Sequence, residues 1–201
     1  MARLAARAGE LAHGAFPLSA LDDSRCLGEP FQSVKHGSRL RIRSRRCHHL
    51  QNPRRCDISK RGLEAAGIGR SRGGLTTKIH AAVDALGLPV RFIITPGHWG
   101  DCPQARGLIE DLNGVGHVIA DAAYDADHLR TFITESLGAE AQIKQNPSRA
   151  SRYPIDWTLY KERNLVECFF NKIKRFRRIA LRCEKTVSSF TAFVSLACAI
   201  A

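Results

Sequence analysis

No apolar run in this sequence approaches the ~20 residues that span a bilayer, and Arg, Glu and His interrupt the apolar text of the first twenty positions. Neither a membrane span nor a secretory leader is expected. A disulfide framework is also missing. Seven cysteines, at 26, 47, 56, 102, 168, 183 and 198, form an odd set in a chain too long to need covalent staples. A soluble, cytoplasmic protein in a reducing compartment is the simplest expectation. Internal repeats and low-complexity tracts are absent. Acidic side chains are scarce, 19 against 31 Lys and Arg, for a formal charge of +12. Such an excess points to a polyanion as partner.

The charge is unevenly spread. Residues 1–74 carry 15 basic and 6 acidic side chains, residues 75–159 carry 7 and 10, and residues 160–201 carry 9 and 3. A carboxylate-rich centre with cationic wings suits a protein that holds metal ions and nucleic acid together. A GC-rich coding bias would give the same Arg excess at the N-terminus. Between Asp22 and Arg61 neither a helical nor a strand period is visible, so 1–61 is read as an irregular, poorly ordered basic segment and 62–201 as the folded domain. Cys47, His48, His49 and Cys56 are zinc-ligand types at a spacing that fits no common structural zinc site.

Order begins near Gly62. Gly69 to Gly74 reads as a mobile cationic loop. Ile79, Ala81 and Val83 alternate with polar or small residues, Asp84 to Pro89 turns the chain, and Val90 to Thr95 is β-branched: an antiparallel hairpin. Asp101 is placed to cap a helix with Pro103 in its first turn, Ala105, Leu108, Ile109 and Leu112 on one face, and Gly114 at its end. Val115 to Ala120 is a buried strand closed by Asp121. Asp125 then caps a helix that runs to Gly138, 139–144 is a further strand, and helices cover about 156–174 and 186 to the end. The order β-β-α-β-α-β-α-α describes a mixed sheet flanked by helices. His80 and His98 read as structural histidines, and Asp84 as a turn residue.

Two features carry chemistry. On one continuous helix, Tyr160, Arg163, Glu167 and Lys174 would share a narrow strip, beside an apolar arc of Leu165, Val166, Phe169, Phe170 and Ile173. A carboxylate so pinned, with cations nearby, offers a metal ligand and phosphate contacts. Taken alone, the strip reads equally well as a solvated face with spaced ion pairs. Asp121 stands at a strand's carboxyl end, where α/β sheets bind ligands. Taken alone, it reads as a loop Asp capping its neighbour. Lys172, Lys174, Arg175, Arg177 and Arg178 would continue the strip toward DNA.

Val118-Ile119-Ala120-Asp121-Ala122-Ala123-Tyr124-Asp125 resembles the segment around the second acid of DDE-type insertion-sequence transposases. Tyr160-x2-Arg163-x3-Glu167-x6-Lys174 matches their YREK signature, and 69–80 is similar to insertion sequence family five. The resemblance covers about 62–201. It implies an RNase H-like, retroviral-integrase-like α/β fold and Mg²⁺ (or Mn²⁺) held by acids, Asp121 and Glu167 being the second and third. It further implies strand cleavage and transfer by metal-dependent phosphoryl transfer. Tyr160, Arg163 and Lys174, with Arg70, Arg72 and Lys78 from the cationic loop and the strand after it, would hold double-stranded DNA at transposon ends and target. A homodimer on the bacterial nucleoid is the expected form.

One element of the pattern is missing. Where the family's first acid is due, the sequence reads Leu40-Arg41-Ile42-Arg43-Ser44-Arg45-Arg46-Cys47, and neither Asp22, Asp23 nor Asp57 is a convincing substitute. The switch near Gly62 is what a shifted reading frame or fused fragment would produce, so residues before about Lys60 are read as foreign to the family. Loss of one carboxylate weakens a hard-cation site. The expected protein is a transposase derivative with impaired cutting, or a DNA-binding remnant that does not cut.

Overall fold

The computed structural model describes residues 26–27, 38–49 and 62–200. Asp22, Asp23, Asp57, Cys56 and Lys60, named above, lie outside them. The strands are β1 (Cys26–Leu27), β2 (Ser38–His49), β3 (Gly69–Ser71), β4 (Gly74–Val83), β5 (Pro89–Pro96), β6 (Val115–Ala120), β7 (Glu140–Ile143) and β8 (Leu181–Arg182). The helices are α1 (Cys102–Ile109), α2 (Asp127–Thr131, continued by a wider turn over Phe132–Ser136), α3 (Trp157–Lys161), α4 (Asn164–Ile173), α5 (Arg177–Ala180) and α6 (Val187–Ile200). Among the described residues the strands form one sheet in the order β1-β5-β4-β2-β6-β7, with β3 beside β4 and β8 beside β2. β1, β5, β4 and β2 are antiparallel neighbours; β2, β6 and β7 run parallel. This mixed sheet between helical layers is the α/β architecture expected from the sequence.

The β4–β5 hairpin forms as expected. Asp84 Oδ1 accepts from the backbone N–H groups of Leu86 and Leu88, and Gly87 takes φ +81°, a left-handed value that glycine adopts without strain. β6 ends at Ala120, one residue before Asp121. Alternation along the strands splits the core into two layers. Leu40, Ile42, Ala82 and Val118 pack under α1 and α2 with Leu108, Tyr124 and Leu129. Cys47, Ile79, Ala81 and Phe92 pack under α4 and α6 with Val166, Phe169, Phe170 and Val194. Each layer buries several large apolar side chains, at about 1.5–3 kcal/mol apiece.

Several expectations are corrected. Residues 38–49, read as aperiodic, form β2 at the centre of the sheet, paired with both β4 and β6. The pattern is there, Leu40 and Ile42 alternating with arginines, but the opposite face is guanidinium instead of apolar. It survives because Arg41, 1 % exposed, donates to the carbonyls of Arg39 and Asp84 and pairs with Glu162. The cationic loop at 69–74 is a tight hairpin, Gly69 pairing with Thr76 and Ser71 with Gly74. Asp101 holds the N-cap position without capping, its carboxylate being turned to Lys78. Asp125 is not a cap either, because Ala126 fills that position. α1 stops at Ile109, ahead of Gly114. The helix expected over 156–174 is broken at Glu162 and Arg163 into α3 and α4.

Candidate functional site at the ends of the parallel strands

The parallel register fixes the site. Ile42 stands opposite Ala120, so the next residues along, Arg43 and Asp121, lie side by side, on strands about 4.8 Å apart; β6 ends at Ala120, whereas β2 runs on beside β4 with Arg43 opposite Ala81. Arg41, Arg43 and Arg45 alternate with the core residues Leu40 and Ile42 and so face α4. Glu167 comes from the first turn of α4, which is anchored by Val166, Phe169, Phe170 and Ile173.

Arg43 Nη1 donates to Glu167 Oε1, and Arg163 Nη1 lies 2.7 Å from the same oxygen. The side chain of Glu167 is 26 % exposed. Burial raises its pKa, but the Arg43 and Arg163 guanidinium groups outweigh that and hold the carboxyl below its usual range. Asp121 Oδ1 accepts from the backbone N–H of Ala123, closing a short 3₁₀ turn. The capping role that Asp121 suggests by itself is thus real. The Tyr160 phenol is raised: burial raises it most, Arg163 and Arg43 pull it down, and Asp121 pushes it up. The Arg163 guanidinium lies 5.8 Å from its ring centre, and Trp157 packs edge-on against it at 5.7 Å.

Tyr160, Arg163 and Glu167 therefore converge despite the helix break. Lys174 does not join them. It caps α4 seven residues beyond Glu167, about 10 Å at 1.5 Å per residue. The strand below advances at about 3.3 Å per residue, so Arg46 lies about as far past Arg43. Lys174 accordingly meets Ser44, Arg45, Arg46, Lys78 and Asp101 around a cleft of about 300 Å³. Arg45 Nε is buried there and meets no hydrogen-bond acceptor among the described residues. Lys78 is 4 % exposed, and its ammonium donates to Asp101 and the Trp99 carbonyl, so most of its charge is used inside the protein. Arg70 and Arg72 are exposed on the β3–β4 hairpin. Arg178, assigned by sequence to the DNA-facing run, pairs with Glu184 at 3.0 Å and stacks over Phe193. Sequence reasoning gave no role to Arg43, Arg45 or Arg46; the alternate-residue spacing of Arg39, Arg41, Arg43 and Arg45 was the available signal.

The remaining candidates are structural. His80 Nε2 lies 2.8 Å from Thr95 Oγ1, His98 faces Glu64, and Cys47 is buried in the core with its thiol pushed up to about 12 by burial.

A family model described as a transposase DDE domain matches residues 36–201. The chain belongs to the DDE-domain transposase family. It is also 68 % identical over 126 residues to a Brucella ovis protein described as a transposase for insertion sequence element IS6501, covering 63 % of this chain and 97 % of that protein. The family match begins at 36, ahead of the Gly62 boundary drawn from sequence. The matched range thus includes the arginine-rich strand β2. The family brings an RNase H-like fold, and DDE domains depend on divalent metal. Among the described residues no helix is long and apolar enough to cross a membrane.

The donor set here does not fit such a metal. A hard divalent cation gathers several oxygen ligands, carboxylates first. Beside Asp121 and Glu167, this DDE domain presents the cation Arg43. Among the described residues no group of three His, Cys, Asp or Glu side chains lies close enough to hold an ion.

Proposed function

We propose that this chain binds the double-stranded DNA of insertion-sequence ends and that strand cleavage and transfer, which the family performs with Mg²⁺ or Mn²⁺, are impaired in it. The cationic cleft carries the reading. Arg45, Arg46 and Lys174 offer three positive charges beside Asp101 and Lys78, which offset each other. Arg70 and Arg72 extend the cationic surface, and Tyr160 and Arg163 flank the acidic pair. The relative from Brucella ovis supports insertion-sequence DNA as the partner. Impairment follows from the missing carboxylate, since Glu167 is held by two guanidinium groups and Asp121 is the one other acid beside it. In the cell the protein would lie in the cytoplasm, on the nucleoid when bound. A homodimer would present one cleft to each of two ends.

The test is fluorescence anisotropy with an insertion-sequence end duplex across a salt series, alongside a nicking assay with Mg²⁺ or Mn²⁺. Tight, salt-sensitive binding without nicking is expected. Metal-dependent nicking lost in Glu167→Gln would instead restore the full transposase reading.

A further inference from the structure

We infer that Arg43 is the resident cation of the acidic site: its guanidinium stands where a third carboxylate would complete a metal-binding set with Asp121 and Glu167, and this one residue closes the site to metal. The inference rests on Asp121 and Glu167 being the acid pair of the proposed function.

Three observations converge on Arg43. One residue past the Ile42–Ala120 pair of the parallel ladder, it lies within β2 beside Asp121, which follows the end of β6. On the α4 side of the sheet it reaches Glu167 and pairs with it. Its charge is also felt at Tyr160, together with those of Asp121 and Arg163. One guanidinium thus pairs with Glu167, acts on Tyr160 and stands on the strand beside Asp121. The charges then balance without an ion: Asp121 and Glu167 carry two negative charges, Arg43 and Arg163 two positive ones. A divalent cation would have to displace Arg43 from Glu167 and would leave the cluster with an excess of two positive charges.

A helix-docking role does not account for Arg43 by itself. Arg39 and Arg41 already tie β2 to the Glu162 carboxylate at the break between α3 and α4. Both ion pairs of Glu167 meet at Oε1. Replacing Arg43 by a shorter acid would remove the blocking charge. It would also place a third carboxylate on β2 beside Asp121.

The decisive experiment is Mn²⁺ binding to the full chain, read from the loss of the free-ion electron paramagnetic resonance signal, for wild type, Arg43→Gln, Arg43→Asp and Arg43→Asp/Asp121→Asn. Arg43→Asp should bind Mn²⁺ about tenfold tighter than wild type or more, because both ligand count and site charge change in its favour. Arg43→Gln, which removes the cation without adding a ligand, should gain less. The Asp121→Asn addition should cancel the gain. Equal Mn²⁺ affinity in wild type and Arg43→Asp, or a gain that survives Asp121→Asn, would overturn the inference. If Arg43→Asp fails to fold without metal, refolding rescued by Mn²⁺ supports it, and failure to refold with Mn²⁺ counts against it. Weak DNA binding by the wild type in the anisotropy assay would strike the proposed function and leave these metal affinities as they are.

Discussion

Asp125 and Glu167 are each gripped by two arginines, yet the two clusters do different work. The Asp125 carboxylate is 1 % exposed and lies 2.9 Å from Arg130 and 3.1 Å from Arg149, with a further bond from the backbone N–H of Asn146. Arg130 also donates to the Ile143 carbonyl, and both arginines lie over the Tyr153 ring. Both Asp125 oxygens are satisfied, although Arg149 Nε has no acceptor among the described residues, and the cluster joins the loop after β6 to the end of β7. Glu167 is partly exposed, is gripped through one oxygen, and sits on a rigid helix at the mouth of the parallel strands. A saturated buried acid holds the fold; a partly exposed acid beside the end of a parallel strand is available to a ligand.

Removing each acid should separate the two most widely. Asp125→Ala strands Arg130 and Arg149 in a buried setting and should cost about 3–5 kcal/mol in urea denaturation. Glu167→Gln should cost less, about 1 kcal/mol, because the amide oxygen still accepts from the guanidinium groups and the pair is partly exposed. Equal losses would erase the distinction drawn here.

A smaller contrast concerns DNA. Arg45→Ala should lower the dependence of log K on log salt by about one unit, as expected for one lost phosphate contact. Arg178→Ala should leave that slope unchanged, since its guanidinium pairs with Glu184. The salt-titrated anisotropy assay reads both.

The smallest effect is on pH dependence. Burial raises the Asp125 carboxyl, but the Asn146 N–H, Arg130 and Arg149 outweigh it, so both Asp125 and Glu167 are held low. Carboxyls lowered in the native state stabilise it fully above their unfolded values near ~4, and that stability is lost as pH falls through the lower native values. Urea midpoints between neutral and acid pH should fall for the wild type. Arg43→Gln should soften the fall slightly, and Asp125→Asn should soften it more.

Much of this fold is legible in the sequence where one physical period dominates. The β4–β5 hairpin, β6 with Asp121 just past its end, and the apolar face of α1 follow from alternation, turn residues and helical spacing. β2 is hidden because its second face is arginine, and a buried arginine is tolerated only with partners remote in sequence, Asp84 and Glu162 for Arg41. The continuous Tyr160-to-Lys174 strip fails for a local reason: the chain turns at Glu162 and Arg163, so Lys174 is carried to the neighbouring cleft. Asp101 and Asp125 look like caps by position, but tertiary cations, Lys78 and Arg130, compete for their carboxylates and win. The acidic site shows the same limit. Glu167 and Asp121 were visible as separate motifs, whereas Arg43 acquires meaning only once the parallel register sets it beside them.

The most direct measurement is a carbon-13 NMR titration of the Glu167 side-chain carboxyl in wild type and in Arg43→Gln. A carboxyl that titrates below the ordinary glutamate range in the wild type and moves up when Arg43 is replaced is the expected result. A Glu167 that titrates at the same pH in both proteins would mean that Arg43 does not hold it.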